Sequence, residues 1–140
     1  MEYLLFVNTL PKEAIDIRYR VFTLEQGFKQ EDDLDERDSN SMHILVYIDK
    51  NPIATARMFK EDKHTYHIGR LAVLEDYRSR GVGSFILKTF EDKAKELGAS
   101  KMRLGSQIDK ADFYIKNGYK KYGDIFDDAG YPHIMMIKDL

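Results

Sequence analysis

The chain has 140 residues, 43% of them hydrophobic and 33% charged, with a formal net charge of −2. That length suits one domain with a real core, and the near-neutral balance excludes the basic excess of a dedicated nucleic-acid binder. The absence of cysteine excludes disulfides, thiolate metal sites and a cysteine nucleophile.

No apolar run reaches bilayer-spanning length. The first residues, Met1-Glu2-Tyr3-Leu4-Leu5-Phe6-Val7-Asn8, lack the basic flank and the length of a signal peptide, so a cytoplasmic protein with no membrane partner is expected. Leu4 to Val7 reads as a first strand. Pro11 fits the opening turn of a helix running to about Glu25, with Ile15, Tyr19, Phe22 and Arg18 on its inward side and Gly27 as its stop.

Residues 28–41 follow as a polar loop dense in acid: Glu31, Asp32, Asp33, Asp35, Glu36 and Asp38 against Lys29 and Arg37. Two readings stand: a solvated surface loop, or an acidic rim that attracts a cationic substrate. His43–Ile48 and Ile53–Phe59 form a hairpin around Asp49-Lys50-Asn51-Pro52. A second reversal at 60–63 leads into a strand from Thr65 to Val73.

The next turn carries Arg78-x-x-Gly81-x-Gly83 and opens a helix over Val82–Leu97. Val82, Phe85, Ile86, Phe90, Ala94 and Leu97 share its apolar face. Lys88, Glu91, Asp92, Lys95 and Glu96 fall on the outer face, and Gly98 supplies the stop. Glycines at a helix mouth gather backbone N–H donors beside the positive dipole end, which suits a phosphate or pyrophosphate, with Arg78 and Arg80 adding charge. A tight strand-to-helix turn with solvated arginines is the competing reading. The pattern fits neither the nucleoside-triphosphate loop nor the dinucleotide fingerprint.

Lys101 to Leu104 is the next strand, and strand, helix and strand in this order imply a right-handed crossover between parallel strands. A short helix over Asp109–Lys116 stops at Asn117-Gly118. Two strands, Tyr119–Phe126 and Ile134–Lys138, flank Asp127-Asp128-Ala129-Gly130. The expected architecture is α/β: one domain over 1–140, with a mixed sheet covered by helices, antiparallel early and parallel at the anion loop.

The run Gln107-x-x-x-Ala111-x-Phe113-Tyr114-x-Lys116-x-Gly118-Tyr119, together with Arg78-x-x-Gly81-x-Gly83, resembles the GNAT superfamily of acyl-CoA-dependent N-acetyltransferases over nearly the whole chain. Arg18-x-x-Val21-Phe22-x-x-Glu25-Gln26 and Asp128-Ala129-Gly130-x-Pro132-His133 resemble its small bacterial YjcF/ElaA-type subgroup. The resemblance implies a mostly antiparallel central sheet and acetyl-CoA as cosubstrate. By the same resemblance, the backbone of Arg78, Ser79, Arg80, Gly81, Val82, Gly83 and Ser84 would hold the pyrophosphate. Leu71, Ala72 and Val73 would bond the pantetheine arm like an added strand, and Tyr114 would protonate the leaving thiolate.

Acetyl transfer to an amine needs that amine neutral. With a reference pKa of ~10.4, its deprotonation at pH 7 costs on the order of 4–5 kcal/mol, so a base is required. The strand His67-Ile68-Gly69-Arg70-Leu71 carries no carboxylate, where the family often has one. Glu25, His67 and His133 are therefore the candidates. Without a cysteine or a Gly-x-Ser-x-Gly elbow, direct attack is favoured over an acyl-enzyme. The four histidines show no metal-ligand spacing, and no metal cofactor is expected. The acceptor is a small-molecule or protein amine, a cationic one if the acidic segment is a rim, and the chain is a monomer or homodimer. The alternative is an acyl-CoA-binding sensor that keeps the cradle without efficient catalysis.

Overall fold

A computed structural model describes all residues, 1–140. Its strands are β1 (Glu2–Val7), β2 (Met42–Ile48), β3 (Asn51–Lys60), β4 (Thr65–Val73), β5 (Lys101–Gln107), β6 (Lys120–Asp128) and β7 (Tyr131–Asp139). They form one seven-stranded sheet in the order β1-β2-β3-β4-β5-β7-β6. All neighbours are antiparallel except β4 and β5, which are parallel. The mixed, mostly antiparallel sheet expected from the sequence is therefore present.

Turn chemistry sets the hairpins. β2 turns into β3 at Asp49-Lys50, with φ of +51° and +65°, and β6 into β7 at Ala129-Gly130, with φ of +53° and +86°. Positive φ at both central residues matches the right-handed twist of the flanking strands. The first turn is tighter than the tetrapeptide expected, and Asn51 and Pro52 belong to β3.

Helix α1 (Lys12–Arg18) begins after Pro11 and continues as a π-helix over Tyr19–Glu25. Its inward residues are Ala14, Ile17, Arg18 and Val21, while Tyr19 is 37% exposed. The expectation that Tyr19 packs inward is thus corrected: spacing from Ala14 through Ile17 to Val21 keeps a small and two branched residues on the sheet. Helix α2 (Gln30–Asp33) and a 3-10 turn (Glu36–Asn40) occupy the acidic segment.

Helix α3 (Val82–Glu96) buries Val82, Ile86, Leu87, Phe90, Glu91 and Ala94; Leu97 is 48% exposed beyond its end. Glu91 is buried rather than outward because Tyr119 Oη donates to it at 2.9 Å and Lys138 Nζ at 2.8 Å. Helix α4 (Ala111–Lys116) follows a 3-10 turn at 108–110. On one face of the sheet α3 packs Ile86 and Phe90 against Ile44, Ile68, Met102 and Met136. On the other, α1 packs Ala14, Ile17 and Val21 against Leu45 and Ala72. Each large side chain so buried contributes roughly 1.5–3 kcal/mol. No helix is long and apolar enough to cross a membrane.

The feature that positions the site lies in the middle of the sheet. β4 and β5 pair only at Thr65–Lys101, Tyr66–Met102 and His67–Arg103, then separate, so residues 68–73 and 104–107 face each other unpaired.

Candidate active site

Where β4 and β5 part, a cavity of about 360 Å³ opens. Its walls include Phe22, Ile68, Leu71, Leu104, Ser106 and Tyr114. β4 is irregular here: Thr55 faces Ala72 and Arg57 faces Gly69, so β3 advances two residues while β4 advances three. The extra residue is a bulge in which Arg70 takes φ +52°. Bulges re-aim backbone groups beside functional sites, and this one adjoins Leu71 on the cavity wall.

The loop leading out of β4 has a different shape from the cavity. Ser79 has φ +62° and Gly81, the N-cap of α3, φ +81°. The N–H groups of Ser79 through Ser84 find no acceptor in the protein: the first helical bond here runs from Phe85 N to Gly81 O. Such consecutive free amides at a helix N-terminus form an anion-binding concavity. A Cβ on Gly81 would meet nothing within 4 Å, whereas one on Gly83 would lie 2.8 Å from Phe113 Cζ. Gly83 is thus small so that α3 can approach Phe113 of α4.

The two arginines of this loop are not equivalent. Arg78 donates to both carboxylate oxygens of Glu25 at 2.7 Å and, through Nε, to Val73 O at 2.9 Å. Arg80 lies over the Tyr77 ring at 5.2 Å. Glu25 therefore sits outside the cavity, its carboxyl held below the usual range by the Arg78 hydrogen bond.

His67, Tyr114, Leu71 and His133 line one cavity. Tyr114 makes edge contacts with Phe113 at 5.0 Å and Tyr119 at 6.1 Å. Burial pushes its phenol up to about 12, so it is protonated at neutral pH. His67 shares Nδ1 with Glu61 Oε1 at 2.8 Å and stacks on Phe59 at 5.0 Å. Burial pulls its pKa down, and its hydrogen bond to the Glu61 carboxylate only partly offsets this, which favours the neutral ring. His133 bonds Tyr131 O through Nδ1 at 2.8 Å, with Nε2 3.9 Å from Asp128.

The acidic segment is neither simply solvated nor simply a rim. Arg18, only 1% exposed, donates to Asp33 at 3.0 Å and Asp38 at 2.8 Å. Arg57 donates to Asp35 at 2.6 Å and Asp38 at 2.9 Å. Arg70 reaches Asp33 at 3.0 Å and Asp35 at 3.2 Å. Three arginines and three aspartates thus neutralise one another around the bulge of β4, with Asp33 and Arg70 of this cluster on the cavity wall beside the unpaired Asp32. The inward position of Arg18 is the one sequence signal of this cluster; Arg57 and Arg70 gave none, because nothing local says that a strand arginine has a distant partner.

Residues 10–119 match the acetyltransferase (GNAT) family. The chain belongs to that family. Its GNAT relatives include the uncharacterized N-acetyltransferase YjcF of Bacillus subtilis (strain 168), 38% identical over 129 residues and covering 91% of each protein. The crystal structure of Escherichia coli ElaA superposes with a TM-score of 0.85 at 25% identity, covering 98% of each chain. A GNAT acetyltransferase from Elizabethkingia anophelis with acetyl-CoA bound shares the fold, with a TM-score of 0.74 at 19% identity, covering 99% of this chain and 97% of that one. As a member of this family the chain is an N-acetyltransferase.

Proposed function

We propose that this GNAT protein transfers acetyl from acetyl-CoA directly to a primary amine held on the α1 face of the cleft. The observation that carries this reading is the early parting of β4 and β5. It leaves strand edge free to bond an extended pantetheine arm, continuous with the free amides of Ser79 to Ser84 that would take the pyrophosphate.

In this reading the amine nitrogen attacks the thioester carbon, the C–N bond forms and the C–S bond breaks. Before the attack one proton of the acceptor's ammonium goes to the Nε2 lone pair of His67, leaving the nitrogen neutral. The Tyr114 hydroxyl then gives its proton to the departing thiolate, and the second proton that nitrogen loses as the amide forms returns the phenolate of Tyr114 to its hydroxyl. His67 is preferred over His133 because it sits at the last paired rung before the strands part. Glu25 is set aside because Arg78 occupies both of its oxygens. With Asp33, Asp35 and Asp38 taken by arginines, any pull on a cationic acceptor rests on Asp32 and Asp128, both exposed beside the cavity.

The test has two stages. Calorimetry with coenzyme A should give heat that neither ATP nor NAD reproduces. Acetyl-CoA with a panel of small amines and lysine peptides should then release free thiol. Absence of coenzyme A binding overturns the reading; binding without release on any amine converts it to a sensor.

A further inference from the structure

We infer that Glu61 is the positioning residue of His67, fixing its imidazole with Nε2 open to the amine, and that Arg103 in turn anchors Glu61. This rests on the proposed role of His67 as the proton acceptor. The three side chains come from three parts of the fold: Glu61 from the turn after β3, His67 from β4 and Arg103 from β5.

Register brings them together. Phe59 is paired with His67, and His67 with Arg103, so Phe59, His67 and Arg103 stand in one row on the same face of the sheet, and Glu61 reaches His67 and Arg103 from the turn just beyond that row. Glu61 divides its carboxylate between neighbours, accepting from His67 Nδ1 at 2.8 Å and from Arg103 Nη1 at 2.5 Å. An ionised carboxylate can only accept. The proton of neutral His67 therefore resides on Nδ1, and the Nε2 lone pair remains free on a ring that lines the cavity.

Two further contacts hold the ring plane. Phe59 stacks beneath it, 17° from parallel, and Arg37 covers Phe59 at 4.2 Å. Arg103 is steadied by Tyr122 of β6 at 5.5 Å. The charged groups acting on His67 are thus Glu61 from the turn, Arg103 from β5 and Arg57 from β3, with Arg37 across the Phe59 ring.

In chemical terms, when the ammonium yields its proton, the N–H bond breaks and a new one forms at Nε2. Glu61 takes no proton; its negative charge stabilises the imidazolium until water removes the proton. A base oriented by a third group is the arrangement such a transfer needs. The rival explanation is that Glu61 merely staples β4 to β5.

Two substitutions separate these explanations by sign. In Glu61→Gln the charge that favours the imidazolium is gone, so the acid limb of the kcat profile moves to lower pH. Its plateau falls at least ~10-fold, while KM for acetyl-CoA stays within about twofold, because no coenzyme contact is removed. In Arg103→Gln a charge opposing the imidazolium is gone, so the limb moves to higher pH. A staple predicts no displacement in either variant. Nitrogen-15 NMR of the His67 ring, recognised by its loss in His67→Gln, gives a readout that needs no acceptor amine. It should show a proton on Nδ1 in the unaltered protein and a mixture of tautomers in Glu61→Gln. An unmoved limb with unchanged kcat in Glu61→Gln, or a proton on Nε2 in the unaltered protein, overturns the inference. Should no amine be turned over at all, the base reading falls, and the NMR tautomer alone decides whether Glu61 holds the ring.

Discussion

Asp38→Asn probes the charge cluster that backs β4. Asp38 accepts from Arg18 at 2.8 and 3.2 Å and from Arg57 at 2.9 Å while only 7% exposed. Burial alone would raise its pKa. The hydrogen bond and charge of Arg18, then the hydrogen bond of Arg57, outweigh burial and hold it at about 2. The folded value lies below the unfolded one of about 3.9, so the stabilisation is complete above that pH and disappears as pH falls through 2. A depression of almost two units is worth about 2 to 3 kcal/mol at pH 7, and about half of that is gone by pH 3. Asparagine copies the shape of the protonated acid, so the variant lacks this contribution at every pH. Leaving two buried guanidiniums short of an anion can enlarge the neutral-pH deficit toward 3–5 kcal/mol. Urea unfolding of both proteins at pH 7, 5, 4 and 3 gives the gap directly as the difference in extrapolated stability. A gap of about 2 kcal/mol or more at pH 7 that closes on acidification is expected. A gap below about 0.5 kcal/mol, or one independent of pH, would refute the argument.

Tyr114→Phe should lower kcat by ~10²-fold or more with KM for acetyl-CoA little changed, read from steady-state thiol release; an unaltered kcat removes Tyr114 from the proton path. Gly83→Ala sets a Cβ 2.8 Å from Phe113, an overpacking of about 1–3 kcal/mol set against roughly 1 kcal/mol of gained helix propensity. A fall in Tm of a few degrees, with reduced kcat as Phe113 pushes on Tyr114, is expected, and a rise in Tm would show that the ring yields freely. Glu25→Gln should weaken the hold on Arg78 yet leave the pH profile of kcat unchanged. Loss of its acid limb would make Glu25 the base instead.

Local chemistry made much of this fold readable. Strand β4 runs from Thr65 to Val73 as its composition predicts, and α3 begins at Val82 after the glycine turn. The features that escaped are long-range. Glu91 falls on the outer face by helical spacing, but its partners Tyr119 and Lys138 arrive from 28 and 47 residues away. Asp33 and Asp38 look solvated until Arg18 and Arg57 are brought beside them. Gly83 was readable as small, but not as small for the sake of Phe113. At the candidate site, His67 and Tyr114 are identifiable as residue types, while Glu61 carries no local signal because its meaning depends on a neighbouring strand.

The short ladder between β4 and β5 has a mechanical consequence. Those three rungs are the only sheet bonds between a four-stranded block and a three-stranded one, so the molecule resembles a book with a short spine. A coenzyme seated in the opening would act as a wedge-shaped keystone, bonding both covers at once. Amide protons of Ile68 to Val73 should therefore exchange with solvent more slowly once it is loaded.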